Sequence, residues 1–340
     1  MKNVILTIDT EGPLGIDPVL YQIWGKVGDK YYGIPKIIEI CDKYNVKGLF
    51  FVDIAEANDL GFNKIKEVVS YVREKGHDVG VHIHPHHMPN ESRHFLWEYT
   101  YQEQFDIIKK CTDDFIAMTG EAPKSFRAGK YGANRDTLDI ISKLGYKYDF
   151  SEFYSQKWCG IKPAVSYNLP VKYKELVEFP VTVFKSLSLG KFYQRFDKLE
   201  VSENPQEVLH VLKEYAKTDK EETIVLFLHS FSFLHFLKTP DNPKLNKRFL
   251  RNFEKILAFV QKCESYNKIS EKDLANVKVY SEDSEKSIIK TKGFFRQIWY
   301  SFWRLIKIRN GKAKKLMTAM LIGLGILLVG AGVILWRVLL

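Results

Sequence analysis

Residues 78–87 read DVGVHIHPHH. Val79, Val81 and Ile83 alternate through the first half, and four imidazoles (His82, His84, His86 and His87) fall within six positions. A surface histidine tract usually lacks flanking apolar residues of this kind. This stretch instead reads as a strand that delivers histidines at its C-terminal end, where parallel α/β folds collect their chemistry. The expected role of the tract is metal ligation.

Moving outward, the same grammar repeats. Val4–Ile8 is a continuous apolar run, as expected of a strand buried on both faces. It ends in Asp9-Thr10-Glu11, and residues i and i+2 of an extended chain point the same way, so both carboxylates can address one site. VKGLFFV (46–52) is the next strand, with helical patterns at 35–44 and 63–75. Downstream come a long helix over 97–119, a strand at Ser125–Ala128 and a helix capped by Asn134 that runs to Leu144. Strands at 146–150, 177–183 and 223–228 and helices near 205–216 and 244–263 complete about seven β/α units. Such alternation predicts a parallel sheet with crossover helices. Periodicity alone does not decide whether it closes into a barrel.

Further strand ends offer Arg127 within FRAGKYG (126–132), Asp149, and His229-Ser230. Taken singly, each residue has an ordinary explanation: a turn carboxylate, a structural ion pair, a core histidine. Together they describe one site. One carboxylate plus two histidines is a facial ligand set for Zn²⁺ or another divalent ion and leaves positions open for water and substrate. A second carboxylate can accept the proton of water, and a histidine on the far side can protonate the leaving group. That is metal-assisted hydrolysis of an amide or ester.

The residues resemble the polysaccharide deacetylase family (carbohydrate esterase family 4, the NodB-like homology domain) over about residues 1–275. Thr7-Ile8-Asp9-Thr10-Glu11 is similar to the family's first motif, His82-Ile83-His84-Pro85-His86 to its second, Phe126–Gly132 to its third and Leu228-His229-Ser230 to its fifth. The resemblance implies a deformed seven-stranded (β/α) barrel. It implies Asp9 as general base, Glu11, His82 and His86 as metal ligands, and Arg127 as the partner that holds the base ionised. It further implies a backbone N–H near Tyr131 as oxyanion donor, Asp149 as orienter of the acid and His229 as general acid. His84 and His87 are additional candidate ligands. The implied cofactor is a divalent ion, Zn²⁺ first, and the implied substrate an N-acylated saccharide. Trp24, Trp97 and Trp158 are candidates for stacking on sugar rings.

The chain has 340 residues and a formal net charge of +10. No acid follows Glu285, while eleven lysines and arginines do, which leaves residues 1–285 at −1. The basic balance therefore belongs to the tail, and a nucleic-acid partner is not expected. Leu316–Leu335 carries no charge over twenty residues and is read as the heart of a transmembrane helix at 315–337. Ala319 and Gly323 form a small-xxx-small pair that suits self-association. Cations crowd its N-terminal side, so the catalytic domain is expected in the cytoplasm of a single-pass protein. Residues 293–312 read as a basic amphipathic helix in the headgroup layer and 276–292 as a polar linker. The N-terminus shows no secretory signal, and the four scattered cysteines exclude a disulfide framework. The expected function is removal of an N-acyl group from a lipid-linked or cell-envelope glycan precursor. The alternatives are a same-fold hydrolase of a non-sugar C–N bond and a metal-free scaffold.

Overall fold

Nine strands form the main sheet of the computed structural model, which describes residues 1–12, 15–161, 168–189, 192–201, 205–218, 223–236, 240–281, 289–290 and 293–307. They are β1 (Lys2–Thr10), β2 (Gly48–Asp53), β3 (Asp78–Ile83), β4 (Ser125–Ala128), β5 (Tyr148–Asp149), β6 (Val171–Tyr173), β7 (Leu176–Glu178), β8 (Thr223–His229) and β9 (Tyr266–Lys268). The order is β8-β1-β2-β3-β4-β5-β7-β6, with β9 alongside the start of β1. Every pairing is parallel except the β6–β7 hairpin. The register sets Asp9 opposite His229, Asp53 opposite His82, and His82 opposite Arg127.

Beyond β7 the chain stops making a regular ladder but keeps the circuit going. Phe179 N–H donates to the Asp149 carbonyl and Leu199 N–H to the Thr182 carbonyl. Phe227 N–H then donates to Leu199, and Val201 N–H to Phe227. The path thus returns to β8 through single hydrogen bonds. The strand expected over 177–183 is cut to Leu176–Glu178 because Pro180 has no N–H to offer. The fold is therefore α/β with a mixed sheet curled on itself.

Alternation along the strands explains the continuous apolar runs. Ile5, Leu49, Phe51, Phe150, Phe179 and Val225 fill the inside of the ring. Val4, Leu6, Ile8, Phe50, Val52, Val81 and Leu226 face the surrounding helices. Burying one such side chain contributes about 1.5–3 kcal/mol, so both faces favour apolar residues. Gly80 is required by the inner layer: a Cβ there would lie 2.7 Å from the Phe51 ring.

The helices are α1 (Ile34–Lys43), α2 (Phe62–Glu74), α3 (Tyr101–Thr119), α4 (Arg135–Lys143), α5 (Pro205–Ala216) and α6 (Lys247–Lys262). The helix expected over 97–119 begins later. Glu98 turns its carboxylate back onto the amides of His94 and Phe95 and closes a separate 3₁₀ turn, Leu96–Glu98. Thr100 and Glu103 then cap α3 reciprocally, and Gly120 ends it at φ 75°. The Asn134 side chain accepts the Thr137 amide and starts α4. All four cysteines are free.

A second compact unit comprises Ser186–Arg195 and Thr291–Leu340. Within it, α7 (Phe294–Lys307) joins the first segment through the Ser188 amide, which donates to Gln297. Phe192, Phe295, Ile298 and Trp299 are exposed there. The helix expected over 293–312 is described as far as residue 307. The expected transmembrane segment 315–337 lies outside the described residues, as do residues 282–288 and 291–292 of the linker. Among the described residues no helix is long and apolar enough to cross a membrane.

Candidate metal centre and catalytic cavity

The C-terminal ends of β1, β3, β4 and β8 open into a cavity of about 360 Å³. Asp9 and Glu11 line it, together with His82, His84, His86, His87, Tyr131 and His229. A larger cavity of about 530 Å³ lies elsewhere and holds Trp24, which meets Tyr71 edge-on. It contains no histidine among its lining residues, and Trp24 is not part of the strand-end cavity.

Glu11, His82 and His84 each place one donor atom within 4.8 Å of the others. Glu11 Oε2 is 2.7 Å from His84 Nε2 and 3.6 Å from His82 Nε2. His82 Nδ1 meets the Arg127 carbonyl at 2.8 Å; donating its proton there leaves the Nε2 lone pair facing Glu11. Burial pushes the Glu11 carboxyl upward, but the imidazoles of His84, His82 and His229 outweigh it and hold it well below the usual carboxylate range. Burial also depresses His84, against the pull of Glu11, and so favours the neutral ring that a ligand must have. His84 Nδ1 is buried with no partner among the described residues. One carboxylate and two imidazoles fit a divalent ion such as zinc.

His86 does not join that group. The backbone stays extended through His84 (φ −97°, ψ 103°), so positions 82 and 84 share a face. Pro85 then begins a 3₁₀ turn, Pro85–His87, which carries His86 onto the rings of His87 and His94. Burial and the neighbouring positive groups push His86 down to about 3. Of the imidazoles in the tract, the structure brings His82 and His84 to Glu11, and sets His86 and His87 further along the rim.

On the other side of the cavity, Arg127 Nη1 donates to Asp9 Oδ1 at 2.6 Å, Nη2 to Thr7 Oγ1 at 3.0 Å and Nε to the Phe150 carbonyl at 3.2 Å. The guanidinium is fully buried, with Phe51 and Phe227 against it at 4.4 and 5.3 Å. His229 Nε2 is 3.7 Å from Glu11 Oε1, and its Nδ1 is 3.5 Å from Glu200 Oε1. Burial pulls the imidazole down, but Glu200 and Glu11 outweigh it and raise its pKa, so the protonated ring is favoured. Lys198 ties the far side of this arrangement together, 3.0 Å from Glu200 Oε2 and donating to the Tyr131 hydroxyl at 3.2 Å. Sequence reasoning missed Lys198 and Glu200. The period-two pattern Lys198-Leu199-Glu200-Val201 was the available signal.

Asp149 is placed differently. It lies wholly buried on β5, accepts from Ser151 Oγ at 2.6 Å, and sits opposite Glu178 in the sheet. It does not line the cavity, and the acid beside His229 is Glu200. Burial raises the pKa of Asp149 and raises that of Glu178 further, with the charge of its neighbour added. Tyr131 sits on a strained turn: Lys130 and Tyr131 are consecutive left-handed residues at φ 51° and 59°. Gly129 makes the close approach there, since a Cβ would lie 2.7 Å from the Ile83 carbonyl and from the His84 ring.

An aromatic shelf continues from the rim. Lys130 Nζ is 3.3 Å from His94 Nδ1, and the next residue, Phe95, stacks on Trp97 with centroids 5.2 Å apart. Trp158 extends the stack, and Trp97 Nε1 donates to its carbonyl. Both indoles are about two-fifths exposed.

Comparison with known proteins gives a match to a family model over part of the chain and a likeness of fold. Residues 27–148 match the family model of polysaccharide deacetylase. A peptidoglycan deacetylase of Helicobacter pylori is 24% identical over 119 residues, 35% of this chain and 36% of that protein. A peptidoglycan deacetylase-like protein of Gibberella zeae is 38% identical over 50 residues, 15% of each. The chain thus spans about a third or less of the curated relatives it matches. Among solved structures, a Mycobacterium smegmatis protein named for the polysaccharide deacetylases superposes with a TM-score of 0.54 at 18% identity, covering 84% of this chain and 94% of that one. The PuuE allantoinase gives 0.52 at 10% identity, covering 81% and 89%. These likenesses are of fold.

Proposed function

We propose that the protein is a metal-dependent hydrolase that removes an N-acyl group, most simply acetyl, from a saccharide. The observation that carries the reading is the convergence, in one cavity at the strand ends, of Glu11 with two imidazoles, the Asp9–Arg127 pair and the His229–Glu200 pair. The matched family and the named activity of the Helicobacter pylori relative support the same class of reaction.

Glu11, His82 and His84 would hold the divalent ion. When bound, the ion supplies Lewis-acid polarisation of the acyl carbonyl and activation of water. Asp9 is the proton acceptor, with Arg127 fixing one carboxylate oxygen and leaving Oδ2 on the side of His82. His229, favoured in its protonated form, is the donor to the departing amine, and Glu200 orients its ring. Phe95, Trp97 and Trp158 offer a flat apolar face for sugar rings beside the rim.

The substrate we favour is a lipid-linked or envelope glycan precursor, met at the cytoplasmic face of a bilayer. The uncharged stretch 316–335, the cations before it and the exposed aromatic residues of α7 support that placement. The test is acetate release by the detergent-solubilised full chain from a panel of N-acetylated oligosaccharides and glycolipids. Activity that is lost on chelation and restored by Zn²⁺ is the expected result. Turnover that survives both chelation and Glu11→Gln would remove the metal from the reading.

A further inference from the structure

Next to the first donor group lies a second, sharing no residue with it. Asp53 ends β2 and is fully buried. Its Oδ1 accepts the Ala55 and His84 amides, at 3.1 and 3.3 Å, while Oδ2 is buried with no partner among the described residues. Glu56, 1% exposed, accepts the Gly12 amide on Oε1 at 2.7 Å, and its Oε2 is likewise buried and without a partner there. His87 Nδ1 is paired with Asp59 Oδ2 at 2.6 Å, which directs Nε2 towards Glu56 Oε1, 4.0 Å away. A carboxylate behind the distal ring nitrogen is the support that metal-ligating histidines characteristically have. One donor atom each from Asp53, Glu56 and His87 lies within 4.8 Å of the others.

No lysine or arginine is paired with Asp53 or Glu56 among the described residues. Two buried carboxyl groups with idle oxygens are costly unless protons or a cation neutralise them. An imidazole held by its own acid completes a three-donor set around that vacancy of charge. We propose that Asp53, Glu56 and His87 bind a second divalent cation, beside the Glu11–His82–His84 group. Two carboxylates and one imidazole suit zinc or manganese better than a soft ion. Glu56 and His87 line the catalytic cavity, so the ion would sit in its wall and fasten the turn Pro85–His87 to the end of β2. This inference does not rest on the saccharide reading.

The test is metal content and calorimetric titration with Zn²⁺ of the chelator-stripped, detergent-solubilised full chain. Wild type is expected to take up about two equivalents, and Glu56→Gln and His87→Gln about one each. His82→Ala also keeps about one, and the pair His82→Ala with His87→Gln keeps none. Circular dichroism melts establish that each variant is folded before titration. Should Glu56→Gln fail to fold, His87→Gln, in a partly exposed turn, decides the matter. A wild type that takes up a single equivalent, or one whose content is unchanged by His87→Gln, would overturn the proposal.

Discussion

Asp9 and Asp149 end parallel strands of the same sheet, and both are buried. They differ in whom they meet. Asp9 faces the guanidinium of Arg127 on one oxygen and the cavity on the other. Asp149 faces another acid, Glu178, and does not line that cavity. Two like charges cannot both persist in so dry a place, and burial raises the pKa of each. The lesson is that a strand-end carboxylate becomes chemistry only when a fixed cation spares it a proton and solvent can reach it. Otherwise it becomes a piece of core in which burial disfavours its charge.

The comparison breaks most visibly on turnover. Asp9→Asn is expected to lower acetate release by ~10³-fold, and Asp149→Asn to leave it within a few-fold. An equal loss in both would erase the distinction. Next in size is stability in urea. Arg127→Met strands Asp9 and should cost about 3–5 kcal/mol of unfolding free energy, whereas Glu178→Gln should change it by less than ~1 kcal/mol near pH 4. The pH dependence sharpens this. Raised folded-state values for Asp149 and Glu178 mean that their contribution is fully present below the ordinary carboxylate range. It is lost as pH rises through the folded values. Glu178→Gln should therefore melt higher than wild type at pH 9 while matching it near pH 4.

A smaller effect concerns the proton donor. Glu200 raises His229, so the alkaline limb of the kcat profile is expected above the ordinary histidine value. Glu200→Gln should move that limb to lower pH and leave the acid limb in place. A profile that does not move would exclude Glu200 as the orienting group. Smallest is Trp97→Ala, which removes one end of the aromatic stack. It should raise KM by a few-fold, about 0.5–1.5 kcal/mol, with kcat nearly unchanged.

The first half of the sheet was legible because its strands obey one rule, a short apolar stretch ending in polar residues. β1, β3 and β4 follow it, and so deliver Asp9, His82 and Arg127. Carrying the two-residue period one step past Ile83 points to His84, not His86, as the neighbour of His82. The same rule at the end of β2 would have flagged Asp53, with Glu56 three residues on. The region after β5 was harder to read because Pro180 ends the ladder early and closure falls to isolated hydrogen bonds. Lys198 and Glu200 live in that irregular stretch, where periodicity is too short to stand out. Asp149 satisfied the strand-end rule and failed on its partner, which only the third dimension reveals.

The ring has one slack stave. Leu199 is tied to Thr182 on one side and to Phe227 on the other by single backbone hydrogen bonds. Brief parting of such a seam asks for far less than global unfolding. Glu200 rides on that stave, directly beside the imidazole of His229. The two halves of the proposed chemistry are thus mounted on unequal footings: Glu11, His82 and Asp9 on the hoop of parallel strands, and the aim of the proposed proton donor on a board held by isolated hydrogen bonds.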